Sequence, residues 1–147
     1  MRPHPEKVLG GVVAALSADL PPVISTPFGV ATAGHATMLT LVIAHEVDRL
    51  ADRLHRENEA VKAILRDAAP LLTPAARTAV HEAIAREAPD IRVSSLLAVN
   101  DAVRAALVDV HAAVEGIDSP EARTMDARIW EELKESTRRR HVMIPGR

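Results

Sequence analysis

An all-α fold, an up-down bundle of four main helices plus one short peripheral helix, is what this sequence predicts, and three observations predict it. Apolar residues recur at three- and four-residue steps along most of the chain. The prolines fall between those stretches, where they act as stops and starts. The apolar set is aliphatic, with Phe28 and Trp130 as the only aromatics and Tyr absent. An Ala-, Leu-, Val- and Ile-rich composition favours closely packed helices, whereas strands draw on aromatic and β-branched residues. The 147 residues, 48% hydrophobic and 26% charged, suit a single domain over 1–147 with one core.

The first helix is predicted from about Pro5 to Asp19, with Leu9, Val12, Val13, Leu16 and Leu20 on one face and Pro21-Pro22 as its stop. The stretch Val23 to Gly34, holding Pro27, Gly29 and Gly34, reads as a connection or an irregular helix start. A second helix then runs from roughly Ala36 to Ala69, about 34 residues or 51 Å long. In it Ile43, Val47, Leu50, Leu54, Val61 and Ile64 form a heptad stripe, with Glu57 in the missing place. Asp52 with Arg56, and Arg53 with Glu57, have the i,i+4 spacing of a solvated face.

Thr73-Pro74 marks a cap and first position for a short third helix ending near Pro89, whose narrow stripe of Ala76, Val80 and Ile84 suits a peripheral place. A fourth helix opens near Ser94 or Ser95 and aligns Leu96, Val99, Val103, Leu107, Val110 and Val114 before Gly116, a natural partner for the second. Ser119-Pro120 starts a fifth, carrying Met125, Ile129 and Leu133. Arg138, Arg139 and Arg140 complement the dipole of its last turn, and Pro145-Gly146 reads as a loose tail. Short links between long helices favour antiparallel neighbours, with the first, second, fourth and fifth helices as walls.

Several function classes drop out. Without Cys there is no disulfide framework, thiolate metal site or thiol nucleophile. A net charge of −2 supplies no general attraction to nucleic acid or anionic membranes, and the Arg138–Arg140 run lacks the stacking aromatics that single-stranded nucleic acid binding uses. There is no Gly-x-Ser-x-Gly elbow, and Gly10-Gly11 is no phosphate loop. Arg2 and Lys7 before Val8 to Leu16, with Ala15-Leu16-Ser17, imitate a secretion signal, but Pro5, Glu6 and two central glycines argue for an uncleaved, cytoplasmic chain. Apolar runs such as Met38 to Ala44 fall short of the roughly 20 residues a bilayer span needs, so no membrane segment is expected.

Two groups of side chains are candidates for chemistry. His45, Asp52, His55 and Glu59, with Asp48, share an arc of the second helix and present metal-ligand types. A carboxylate-bridged metal pair in a bundle needs two Glu-x-x-His elements, however, and Asp52-x-x-His55 is only a lone relative. A solvated helix face is the plainer reading. Glu57 interrupts an apolar stripe, where burial costs several kcal/mol unless a partner answers its charge. Either it lies past the packed section, or it is buried against Asn100 or Arg104 and fixes helix register, or it is a ligand-binding carboxylate. His111 and Glu115 have chelating spacing and read equally as a surface pair.

The segments Arg56-Glu57-Asn58-Glu59-Ala60, Asn100-Asp101-Ala102-Val103-Arg104, His111-Ala112-Ala113-Val114-Glu115 and Ile129-Trp130-Glu131-Glu132-Leu133 resemble those of small uncharacterised bacterial α-helical bundle proteins. The resemblance implies a helical-bundle fold and no activity. The functional expectation is a non-enzymatic interaction module, self-associating through helix faces as a homodimer or binding another protein, with no cofactor, nucleic acid or membrane partner. The alternatives are a carrier for a small apolar ligand held between helices, and a metal-dependent protein using the stripe on the second helix.

Overall fold

The computed structural model describes residues 4–141. Arg2 of the signal-like segment and the Pro145-Gly146 tail lie outside the described residues. The described residues are helical with no strand: α1 (Pro5–Ala14), α2 (Pro27–Ala68), α3 (Pro74–Ile84), α4 (Val93–Glu115) and α5 (Pro120–Arg140). The all-α class is as predicted.

The largest difference from expectation is α2. With the 3₁₀ turn that closes it, the helical run Pro27–Leu71 has 45 residues, about ten more than the periodicity suggested. The cause is a start signal of the same kind as Thr73-Pro74 and Ser119-Pro120. Pro27 takes the first helical position, and Thr26 Oγ1 accepts from the Gly29 amide at 3.1 Å while the Thr26 carbonyl takes the Val30 amide at 3.1 Å. Gly29 lies close to the Ile24 side chain, whose Cγ2 would have to shift to admit a Cβ at this position. The length also corrects the reading that no segment suffices for a bilayer, because this run is long and apolar enough to cross one by length and composition.

The chain packs as two compact units, one holding residues 4–50 and the other Ala51–His141. In the first, α1 passes into a π turn over Ala15–Asp19, closed by the Leu20 amide on the Ala15 carbonyl at 3.0 Å, and a 3₁₀ turn at Pro21–Val23 leads toward α2. Helix one thus ends where predicted. Ala33 is the single buried residue in this unit among those described, and α1 buries none.

The second unit is a bundle with a continuous core. Val61, Ile64, Leu65 and Ala68 of α2 meet Val80 of α3, Val99, Val103, Leu107, Val110 and Val114 of α4, and Ala122, Met125 and Ile129 of α5. Pair contacts fix the directions. Arg104 meets Ser136 and His111 meets Asp126, so α4 and α5 are antiparallel. Glu57 meets Ser136 and Asp67 meets Arg128, so α5 also runs against α2. Lys62 reaches the Arg86 carbonyl, and Arg77 donates back to the Ala69 and Leu72 carbonyls, so α3 returns alongside α2. The four walls of this core are therefore α2, α3, α4 and α5, and α1 supplies none of it. Short α3 holds its place because Thr73 caps it and Arg77 donates to the Ala69 and Leu72 carbonyls of the turn that follows α2.

Ile129→Ala removes a side chain with 0% exposure and is expected to cost about 3 kcal/mol. Val108→Ala, at a position 69% exposed on the same bundle, stays within about 0.5 kcal/mol. Urea unfolding of the two variants measures the contrast.

Candidate functional site: a buried carboxylate and its neighbours

Two successive turns of α2 carry polar side chains into the bundle. Glu57, Asn58 and Lys62 are 0%, 3% and 2% exposed. Each is buried because the stripe that carries Leu54, Val61 and Leu65 inward sweeps them inward too, and each has found partners.

Glu57 is held by α5. Arg140 donates from Nε to Oε1 at 3.1 Å and from Nη2 to Oε2 at 2.7 Å, a two-pronged clamp on the carboxylate. Ser136, one turn earlier, donates its hydroxyl to Oε1 at 3.2 Å and accepts from Arg104 Nη1 at 3.3 Å. Arg104 itself stands 4.0 Å from Oε2. Burial pushes the Glu57 carboxyl upward, but the hydrogen bond and charge of Arg140, then Ser136 and the charge of Arg53, outweigh it and leave the group below the ordinary carboxylate value. A carboxylate so saturated with donors and closed to water is a poor proton acceptor and anchors structure.

Asn58 and Lys62 form a second layer. The Asn58 amide donates to the Leu96 carbonyl at 3.1 Å, and its carbonyl oxygen accepts from Asn100 at 2.8 Å. Lys62 Nζ donates to the Arg86 carbonyl at 2.7 Å and to Glu87 Oε1 at 2.9 Å, where it holds the Glu87 carboxyl below its usual value. Along α5, Glu132 pairs with Arg139 yet is pushed upward, chiefly by burial and further by the charges of Glu57 and Glu135.

Of the cluster expected around Glu57, the structure gathers Glu57 and Arg104 and places Asn100 one layer away, on Asn58. Sequence reasoning missed Arg140 and Ser136, the closest partners. Arg140 sits 83 positions from Glu57 in a basic run that the dipole of α5 already explains, so no local pattern announced it.

The stripe of His45, Asp52, His55 and Glu59 is exposed throughout. Asp52 pairs with Arg56 at 3.0 Å. His55 and Glu59 line a recess of about 240 Å³ together with Lys62, Glu87 and Asp90, where the Lys62 ammonium is paired with Glu87. The described residues that do bring metal-ligand atoms together are others, His111, Glu115 and Asp126, on α4 and α5. A recess lined by Leu72, Ala76, Val80 and Val110 has a volume of about 190 Å³, below the roughly 300 Å³ of ordinary ligand pockets, and lends an apolar-carrier role no support.

No protein-family model, curated protein or solved structure matches this chain significantly.

Removing Arg140 leaves the Glu57 charge buried, and Arg140→Ala is expected to destabilise by about 3 kcal/mol. Arg138→Ala, which frees only an exposed pair with Glu135, changes stability by less than about 0.5 kcal/mol. Because the folded state lowers the Glu57 pKa, its contribution is present above the ordinary value of 4.5 and is lost as pH falls below 4.5 toward the depressed folded value. Stability measured from pH 7 to 3 should therefore fall more steeply in the parent protein than in Glu57→Gln.

Proposed function

We propose that this protein is a non-enzymatic interaction module that self-associates through the N-terminal part of α2, as a homodimer or small homo-oligomer. One observation carries the reading. The apolar stripe that is buried at Leu54, Val61 and Ile64 continues toward the helix start with Val47, Ile43 and Leu39 at 44%, 55% and 64% exposure. A continuous stripe of this kind on a monomer marks a partner surface. A second copy is the simplest partner, since twofold symmetry makes one helix face complementary to itself. Covering one Leu or Ile side chain is worth about 1.5–3 kcal/mol, so a few such contacts outweigh the cost of association.

A different observation favours a second reading, in which a bilayer covers the same segment. No Asp, Glu, Lys or Arg lies between Asp19 and Glu46. Thr32, Thr37 and Thr40 return their hydroxyls to the carbonyls of Phe28, Ala33 and Ala36 at 2.9, 2.8 and 2.8 Å, which satisfies them inside the helix as hydrocarbon surroundings demand.

Light scattering coupled to gel filtration in detergent-free buffer separates the two. Self-association predicts a dimer or larger species that Leu39→Glu with Ile43→Glu converts to monomer, with helical circular dichroism retained. A parent protein that is monomeric at every concentration overturns it. Protein that needs detergent and floats with lipid vesicles supports the bilayer instead.

A further inference from the structure

The strongest unassigned constellation lies where α4 joins α5. His111 and Glu115 stand one turn apart on α4, and Asp126 faces them from α5 across the short link at 116–119. His111 Nε2 is 2.8 Å from Asp126 Oδ1 and 3.6 Å from Glu115 Oε1, and one ligand atom from each residue lies within 4.8 Å of the others. The two helices are fixed here by buried Val110, Val114, Ala122 and Met125. Trp130, one turn past Asp126, meets the imidazole edge-on at 5.4 Å and 81°, which restricts the ring that carries Nε2.

From this geometry we infer that His111, Glu115 and Asp126 form a binding site for one divalent first-row transition-metal ion of the zinc class. Such an ion holds its ligands at about 2.0–2.2 Å, which sets ligand atoms roughly 3–3.5 Å apart. The His111 distances already bracket that range, and Glu115, whose side chain is 59% exposed, is free to close the rest by a rotamer change. Charge points the same way. A neutral imidazole with two carboxylates carries −2, which a divalent ion cancels. Among the described residues neither Glu115 nor Asp126 has an ion pair with Lys or Arg, in contrast to Asp118 in the link between the two helices and Glu131 on α5. An imidazole donor selects zinc-like ions over Mg²⁺ and Ca²⁺, which prefer all-oxygen shells. Three protein ligands leave a further position to water. The inference is independent of the self-association reading, because it uses only the unit Ala51–His141.

The test is calorimetric titration of Zn²⁺ into the full, chelator-stripped chain, with Co²⁺ absorption as a second readout. One equivalent should bind with micromolar or better affinity, unaffected by millimolar Mg²⁺. Glu115→Gln, at an exposed site that leaves the fold intact by circular dichroism, should weaken it at least about tenfold, and His111→Ala should abolish it. His45→Ala with His55→Ala should retain it, which separates the site from the exposed histidines of α2. Absence of a stoichiometric site, or a site that survives both Glu115→Gln and His111→Ala, overturns the assignment.

Discussion

The bundle depends on satisfying one buried charge. Glu57 has no exposure, and its carboxylate becomes tolerable only when Arg140, Ser136 and Arg104 surround it. Those three groups come from the last turns of α5 and the middle of α4, so answering the charge sets the depth at which both helices lie against α2. An apolar side chain there sets no such depth, because apolar contact is non-directional. A two-pronged Arg–carboxylate contact does.

The layers beyond repeat the device. Asn58 links α2 to α4 through the Leu96 carbonyl and Asn100, and Lys62 ties the same helix to the residues that follow α3 through the Arg86 carbonyl. Each bond consumes a polar group that the helical stripe forces inward, and each fixes a different neighbour. The valine-rich wall of α4 gives its neighbours little shape to distinguish one register from another. The polar layers supply that distinction, at some cost in desolvation.

Much of this was legible from local chemistry. The caps Thr73 and Ser119 accept from the amides they should, and the stripe from Leu96 to Val114 is buried along its length. The Thr26-Pro27 start was equally legible and was obscured by Gly29 and Gly34, which lower helix propensity without forbidding a helix. Glu57 stood out because it broke a heptad. Its partner did not, since pairing between the ends of α2 and α5 is a tertiary fact with no periodic trace. Likewise Asp126, well separated in sequence from His111, joins it only through the antiparallel packing of α4 and α5. The α2 residues His45, Asp52, His55 and Glu59 form a pattern legible on one helix, and all four are exposed.

One heptad stripe therefore has two different characters along α2, buried at Leu54, Val61 and Ile64 and exposed at Leu39, Ile43 and Val47. From Leu54 onward it is interrupted by Glu57, Asn58 and Lys62, and those interruptions select a single alignment of neighbouring helices. Before Leu50 it carries Leu39, Ile43 and Val47, and the hydroxyls of Thr32, Thr37 and Thr40 are spent on the helix's own carbonyls. Between Asp19 and Glu46 the sequence holds no Asp, Glu, Lys or Arg, so that stretch has no acidic side chain, lysine or arginine from which an alignment could be set. The buried polar contacts of α2 that fix register, at Glu57, Asn58 and Lys62, all belong to the half that packs in the bundle.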